Sequence, residues 1–173
     1  FIVKHYKIAI VVFLVLLGPA IYGNSNYKIY YNIDQGLPKN IPSAEANDKL
    51  KEHFNMSNVH MVLLKDGLSA KDKNQMIKKI EKVDGVKWVI GLNSLVGPNF
   101  PETMIPEDVK SMLKTDKYEL QFVCSDYSSA TDKVNAQLDE MQKIVKGYQK
   151  DAMVIGEAPL MKDLQDTTDI DLK

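Results

Sequence analysis

The three histidines are the residues whose spacing most directly tests for a metal centre. A zinc site needs three or four converging ligands. His5 precedes a long apolar run, and His53 lies near the end of a predicted helix. His60 alternates with apolar neighbours in a predicted strand, which is typical of a residue on a sheet face. The spacing therefore predicts no metal site.

A group of closely spaced aspartates near the end of the chain is the best candidate for an ion site: Asp163, Asp166, Asp169 and Asp171. These residues lack the Asp-x-Asp-x-Asp-Gly spacing and the final glutamate of a calcium-binding loop. Leu160, Leu164 and Leu172 are spaced to line the packed face of a helix. The aspartates then form the solvated side of that helix, so we interpret the segment as amphipathic rather than ion-binding.

No arrangement for nucleophilic or acid–base catalysis is recognisable. Cys124, the only cysteine, lies in the apolar run 120–124, whereas a reactive thiol needs exposure and a positive field. We therefore predict a buried strand thiol. The acidic pairs at 107–108 and 139–140 are adjacent in sequence, so their side chains diverge on a helix. No Gly-x-Ser-x-Gly motif, phosphate loop or nucleotide-binding glycine cluster is present. The sequence thus predicts no enzyme, no catalytic residue and no cofactor.

Composition favours a folded domain and argues against nucleic acid as a partner. Of the 173 residues, 45% are hydrophobic and 26% are charged, as in a globular protein. The net charge is −1, and all 22 basic residues are lysines. Arginine is the side chain best suited to bidentate contacts with guanine or phosphate. Because the sequence contains none, we predict that the protein does not bind DNA or RNA.

The N-terminal region predicts a transmembrane helix over residues 8–23. Its uncharged apolar run, residues 8–22, would rise about 22 Å as a helix, against the ~30 Å of a hydrocarbon core. Tyr6, Lys7 and Tyr22 flank the run and can extend it into the interfaces. Basic residues cluster before the run, so the positive-inside tendency predicts a cytosolic flank at 1–7 and a main domain outside the cell membrane.

Two other interpretations of this segment stay open from the sequence. A secretory signal peptide has a shorter apolar core followed by a small-residue cleavage site, for which 23–26 is only a loose substitute. A helix buried in a soluble core would have to be apolar all round. Because Phe1 stands where a methionine would begin a whole chain, we expect a processed chain or part of a longer one.

Residues after the span predict an extended segment followed by a helix. Residues 27–33 alternate polar and apolar types as a strand does, and a turn-rich connector covers 35–42. The helix that follows runs to about residue 54. One apolar stripe at helical spacing is formed by Ala46, Leu50 and Phe54.

Two strand–helix–strand units come next, and the first covers residues 58–90. Its strands are predicted over 58–65 and 86–90, and its helix is capped by Ser69 with Asp72 as the acidic partner. The buried face of that helix is formed by Met76, Ile77, Ile80 and Val83. The opposite, solvated face is predicted to carry five lysines: Lys71, Lys73, Lys78, Lys79 and Lys82.

The second unit has predicted strands over 117–124 and 152–155. Its helix starts at about Ser129 or Thr131, runs to Val145 and is ended by Gly147. Between the units lie a loop and a short helix over 106–113 with proline at its first turn. Three apolar residues of this connection are candidates either to contact a substrate or neighbouring domain, or simply to pack locally: Phe100, Met104 and Ile105.

The order of elements predicts an α+β fold. An N-terminal transmembrane helix is followed by a ferredoxin-like split βαβ (βαβ-βαβ) porter-type domain, with an antiparallel sheet and helices on one face. The predicted boundaries place this domain at 27–157, and residues 158–173 form a segment leading toward a second membrane helix.

Several short runs in this order resemble the start of an RND-superfamily exporter, most closely its MMPL-type branch. The basic flank and the span come first, followed by Asp34 with Leu37-Pro38, then Ser43-Ala44-Glu45-Ala46 and Leu50-Lys51-Glu52-His53-Phe54, and finally Gly156-Glu157-Ala158-Pro159 with Asp163. The resemblance covers nearly the whole chain and depends on order and spacing more than on any rare residue.

This resemblance implies that the first membrane helix leads directly into the first porter domain. The parent protein would have many spans in two halves and would use the proton-motive force to export lipids, drugs or other amphiphiles. Its coupling residues would lie in spans outside this chain, so none is assigned here. The implied partners are the lipid bilayer, the remaining domains of the parent transporter and an amphiphilic or lipid substrate.

Two other classes of protein fit the same features. A membrane-anchored sensor would bind a ligand outside the cell and continue into a second span with a cytosolic signalling segment. A scaffold protein would have few further spans and a persistent protein interface. An exporter predicts several further spans that contain buried ionisable residues.

Overall fold

Helix α1 (Tyr6–Ser25) begins the computed structural model, which describes residues 4–25, 38, 40–92, 94 and 105–171. Among these residues α1 is the one helix whose length and composition allow it to cross a membrane. None of its spanning window is buried, so α1 does not pack as the core helix of a soluble domain. The predicted span at 8–23 falls within α1.

Helix α2 (Pro42–Phe54) forms as predicted, but its apolar stripe does not pack. No residue of α2 is buried, and Phe54 is 67% exposed. The stripe of Ala46, Leu50 and Phe54 is therefore left uncovered by the described residues. Helical spacing indicates which side of a helix is apolar, but not whether another element covers that side. The strand predicted over 27–33 lies outside the described residues.

The first strand–helix–strand unit consists of β1 (Asn58–Lys65), α3 (Ala70–Ile80) and β2 (Val86–Ile90). Both strands have their predicted limits, whereas α3 ends at Ile80, so Val83, predicted on its buried face, follows the helix. Ser69 caps α3, and its hydroxyl accepts the Asp72 backbone N–H at 3.1 Å. The Ser69 hydroxyl also donates to the Asp72 carboxylate at 2.7 Å, so the predicted capping pair is confirmed.

The second half of the domain contains five elements: α4 (Glu107–Leu113), β3 (Tyr118–Ser125), α5 (Asp132–Tyr148), β4 (Met153–Ile155) and α6 (Glu157–Asp171). Thr131 caps α5 by accepting the Val134 N–H at 3.2 Å, which selects between the two predicted starts. Gly147 does not end α5, which continues to Tyr148. Glycine weakens a helix but does not prevent one, so Gly147 was an unreliable marker of the helix end.

All four strands join one antiparallel sheet in the order β2-β3-β1-β4. The central pair is β1 with β3, whose register runs from Asn58 opposite Ser125 to Lys65 opposite Tyr118. Helix α3 connects β1 to β2 across β3, and helix α5 connects β3 to β4 across β1. The protein is therefore an α+β chain with one N-terminal apolar helix and a four-stranded antiparallel sheet.

Helices α3 and α5 cover one face of the sheet, which we call the inner face. The main core lies there and contains Val62, Leu64, Met76, Ile77, Ile80, Val83, Val89, Val123, Met141, Val145 and Ala152. A smaller cluster joins α5 to α6 through Val134, Leu138 and Ala158. The predicted buried face of α3 is thus confirmed, because helical spacing and a covering sheet coincide here.

Candidate functional site

Residues with metal-binding potential stay apart in the structure. His5 is exposed just before α1, His53 is exposed near the end of α2, and His60 is buried in β1. Within the described ranges, no group of three or more His, Cys, Asp or Glu side chains is placed to hold a metal ion. The exposed acidic pairs of α4 and α5 lie on different helices and form no shared site with one another.

One aspartate of α6, Asp166, takes part in an ordinary ion pair. Lys162 Nζ lies 2.7 Å from an oxygen of Asp166 and 3.2 Å from an oxygen of Asp139 on α5. The pKa of Lys162 is raised, chiefly by its hydrogen bond to Asp166. These contacts join α6 to α5 and pair the charge of Lys162. Such ion pairs are typical of the polar side of a helix.

The face through which α6 packs differs from the predicted one. Ala158, Pro159 and Gln165 are buried, whereas Leu160 is 63% exposed and Leu164 is also exposed. The expectation that the leucines line the packed face is therefore wrong, and Leu172 lies outside the described residues. The small residue Ala158 allows α6 to approach α5 closely. Helix α6 therefore packs through this residue rather than through its leucines.

Cys124 is a buried strand thiol, as predicted. Its side chain is fully buried within β3. Burial raises the pKa of the thiol, and the negative charge of Asp126 raises it further. The thiolate needed for nucleophilic attack is therefore disfavoured.

A buried ion pair lies between α3 and β3, where the sequence predicted a solvated lysine. The Lys73 ammonium donates to Glu119 Oε2, and the two side chains are 5% and 1% exposed. Gln121 follows on the same face of β3 and is also buried. Glu119 Oε1 and Gln121 Oε1 have no hydrogen-bond partner within the described part of the chain. The assignment of Lys73 to a solvated face is wrong, because Glu119 offers it a charge partner inside the protein.

His60 belongs to a second buried polar group. Its Nε2 lies 3.2 Å from Gln137 Oε1, and Gln137 Nε2 donates to the Asp84 carbonyl at 2.7 Å. Because Gln137 Oε1 can only accept, Nε2 of neutral His60 carries the hydrogen. Burial lowers the pKa of His60 below 6.5, and the Gln137 hydrogen bond offsets part of this effect. The expected role as a sheet-face residue is confirmed, with β1 and α5 joined through its side chain.

Acidification should therefore destabilise the protein through His60. Above pH 6.5 the histidine is neutral in both folded and unfolded chains, so the folded state has its full stability. Below pH 6.5 the unfolded chain binds a proton that the folded chain resists, and stability falls by up to about 1.4 kcal/mol per pH unit. Urea denaturation at pH 7, 6 and 5 measures this slope. The His60→Gln variant should have a shallower slope, and an unchanged slope would exclude His60 as its source.

The sheet face opposite α3 and α5, which we call the outer face, is also apolar. Strand pairing places Met61 beside Phe122 and Ile155, and Leu63 beside Leu120 and Met153. The full set of apolar side chains on the outer face, apart from Cys124, is Val59, Met61, Leu63, Trp88, Ile90, Leu120, Phe122, Met153 and Ile155. All are partly buried except Met153, which is 47% exposed.

One part of the outer face is covered. Phe122 packs against a cluster of Leu92, Ile105 and Leu113, contributed by the chain after β2 and by α4. Ile105 therefore packs locally, the second of its two predicted roles, while Phe100 and Met104 lie outside the described residues. The apolar side chains of β1 and β4, together with Leu120 and Trp88, lie outside this cluster and form the more open part.

Sequence reasoning missed the outer face, although a signal for it exists. In β1, residues 61–64 are apolar without interruption, and Val59 adds a further apolar position. A strand solvated on one face alternates apolar and polar residues, whereas a continuous apolar run is typical of a strand buried on both faces. The run therefore indicated a strand with two apolar faces, of which α3 and α5 cover only one.

A cleft of about 420 Å³ lies beside α4 and the turn after it. Its lining is polar and carries both signs of charge, including Asp66, Glu107 and Lys114. Ligand pockets are usually apolar with a few convergent polar groups, so this cleft is a less suitable binding site than the outer face.

The described geometry thus provides a partly exposed apolar face on the sheet. The buried ionisable groups include the Lys73–Glu119 pair, His60, whose pKa is lowered by burial, and Cys124, whose pKa is raised by burial. Neither a protein-family model nor a curated protein matches the chain.

Proposed function

We propose that this chain is the first membrane span and first extracytoplasmic porter domain of a proton-driven exporter of the RND superfamily, MMPL-type branch. Its cargo would be a lipid, a drug or another amphiphile. The observation that carries the proposal is the direct succession of an exposed apolar helix and a domain of two strand–helix–strand units. In this arrangement the flank before α1 is cytosolic and the domain lies outside the cell membrane.

The finer architecture that we propose is the ferredoxin-like split βαβ sandwich. Strand β3 lies between β1 and β2, and β1 lies between β3 and β4. Helices α3 and α5 contribute to a single core on one sheet face. Both features support two interleaved βαβ units. Right-handed crossovers would place the helices of both units on the same side of the sheet.

The distribution of polar groups supports a binding role over an enzymatic one. A porter domain forms a surface for cargo or neighbouring domains and changes shape, and neither task needs a nucleophile or a metal. The buried Lys73–Glu119 pair and the His60–Gln137 contact each join a helix to the sheet. They would maintain the packing of the domain, while the open part of the apolar outer face is available for contacts.

Reading the coding sequence beyond Lys173 tests this proposal. An exporter predicts several closely spaced spans, then a second copy of the span-plus-domain arrangement, with an ionisable residue inside a span. A single further span followed by a cytosolic segment would instead indicate a sensor. A reading frame without further spans would indicate a scaffold, and either result would overturn the exporter proposal.

A further inference from the structure

We propose that the open part of the outer face lies against the membrane leaflet at the C-terminal end of α1. This inference rests on the insertion of α1, which is part of the proposed function. The open part is formed by the apolar side chains of β1 and β4 together with Leu120 and Trp88. Its occupant would be lipid rather than a second protein.

The chemistry at the two ends of this face suits a membrane interface. Tyr118 and Lys65 are cross-strand partners at one end, and Trp88 lies beside Cys124 at the other. Tyrosine and tryptophan prefer the boundary between lipid and water, and lysine can extend its ammonium toward water. Lys65 is already neutralised by Asp151 at 2.6 Å, so this pair presents little net charge to the lipid.

The size of the outer face argues against a second copy of the chain as its occupant. The strands have eight, five, eight and three residues. At ~4.8 Å between strands and ~3.3 Å per residue, they cover about 400 Å². A stable interface buries about 800 Å² on each partner, so two outer faces stacked together provide only about half of that area.

Because α1 anchors the domain in the membrane, bringing the outer face to the bilayer loses little further translational entropy. Residues 26–41 connect α1 to α2 and can span at most about 55 Å when fully extended. A tethered domain meets the surface at high effective concentration, so a small apolar area is sufficient for binding. The same face on a freely diffusing protein would bind a membrane only weakly.

Trp88 is the only tryptophan of the chain, so its fluorescence reports directly on this face. The experiment reconstitutes the whole chain in phosphatidylcholine vesicles, with and without bromine atoms on the acyl chains. Brominated lipid should reduce Trp88 emission by about half, because interfacial tryptophan lies within reach of the upper acyl chain. Aqueous acrylamide should quench the same residue only weakly.

Two matched substitutions separate this face from the rest of the domain. Met153→Glu places a charge on the outer face, and it should restore most of the emission lost to brominated lipid. Leu160→Glu places the same charge at an exposed position of α6 and should leave the quenching unchanged. Equal quenching in both variants would overturn the inference.

The remaining outcomes distinguish this inference from the proposed function. Release of the chain from vesicles by alkaline carbonate would show that α1 is not inserted, and both proposals would fail. Retention of the chain with Trp88 open to acrylamide would place the face in water. Retention with Trp88 protected from both quenchers would indicate a protein occupant. In these last two cases only the present inference fails.

Discussion

Replacing Lys73 by methionine should lower the free energy of unfolding by about 3–5 kcal/mol, because it leaves the Glu119 carboxylate buried without its charge partner. Removing one member of a buried pair costs more than the pair contributes, since the remaining charge keeps its desolvation penalty. Urea denaturation of the chain in detergent micelles, followed by Trp88 fluorescence, measures the change.

Removing both charges gives the decisive comparison. The double variant Lys73→Met with Glu119→Leu should recover most of the lost stability, and it can exceed the parent by about 1–4 kcal/mol. Lys71→Met provides the control, because Lys71 is an exposed lysine on the same helix and its loss should change stability by no more than about 0.5 kcal/mol. If the double variant were as unstable as Lys73→Met, lost packing rather than the unpaired charge would be the cause.

Gly156→Ala should destabilise the domain by about 1–3 kcal/mol through backbone strain alone. Gly156 joins β4 to α6 with φ at +135°, a conformation that residues with a Cβ atom rarely adopt. An added Cβ would also lie 3.3 Å from the Val59 carbonyl oxygen in β1. The same denaturation measurement applies, and proteolysis of α6 should accelerate if its connection to the sheet loosens.

The same substitution at Gly147 should have the opposite sign. Gly147 is helical, and a Cβ added there would have nothing within 4 Å. Alanine favours a helix over glycine, so Gly147→Ala should raise stability by up to about 1 kcal/mol. Equal losses at both glycines would mean that the added methyl group, rather than the backbone conformation of Gly156, destabilises the chain.

Local sequence rules predicted most element limits correctly. Ser69 with Asp72 marked the start of α3, Thr131 was one of two starts expected for α5, and β1 was placed without error. These features depend on residues close together in sequence, and caps and periodicity report on such residues. The buried face of α3 was predictable for the same reason, since the sheet covers the side that is apolar.

Features that depend on distant residues were not predictable from pattern. Lys73 is buried because Glu119, far along the chain, lies opposite it on β3. The stripe of α2 and the leucines of α6 are apolar but uncovered, and spacing contains no information about covering elements. The uninterrupted apolar run of β1 could have predicted that the outer face is apolar. Its exposure could not be predicted, because it depends on where α3 and α5 pack.

The position of β1 in the sheet has a consequence for the order of events on the ribosome. Strand β1 pairs on both sides with strands that are synthesised later, β3 and β4. Its last partner, Ile155, is made about 90 residues after Lys65, which takes roughly 5–18 s at ~5–20 residues per second. Until Ser125 is made, this nascent strand with two apolar faces has neither hydrogen-bonding neighbour, and until Ile155 is made it still lacks one of them. Chaperone or translocon contact at residues 58–65 should therefore end only when residue 155 emerges.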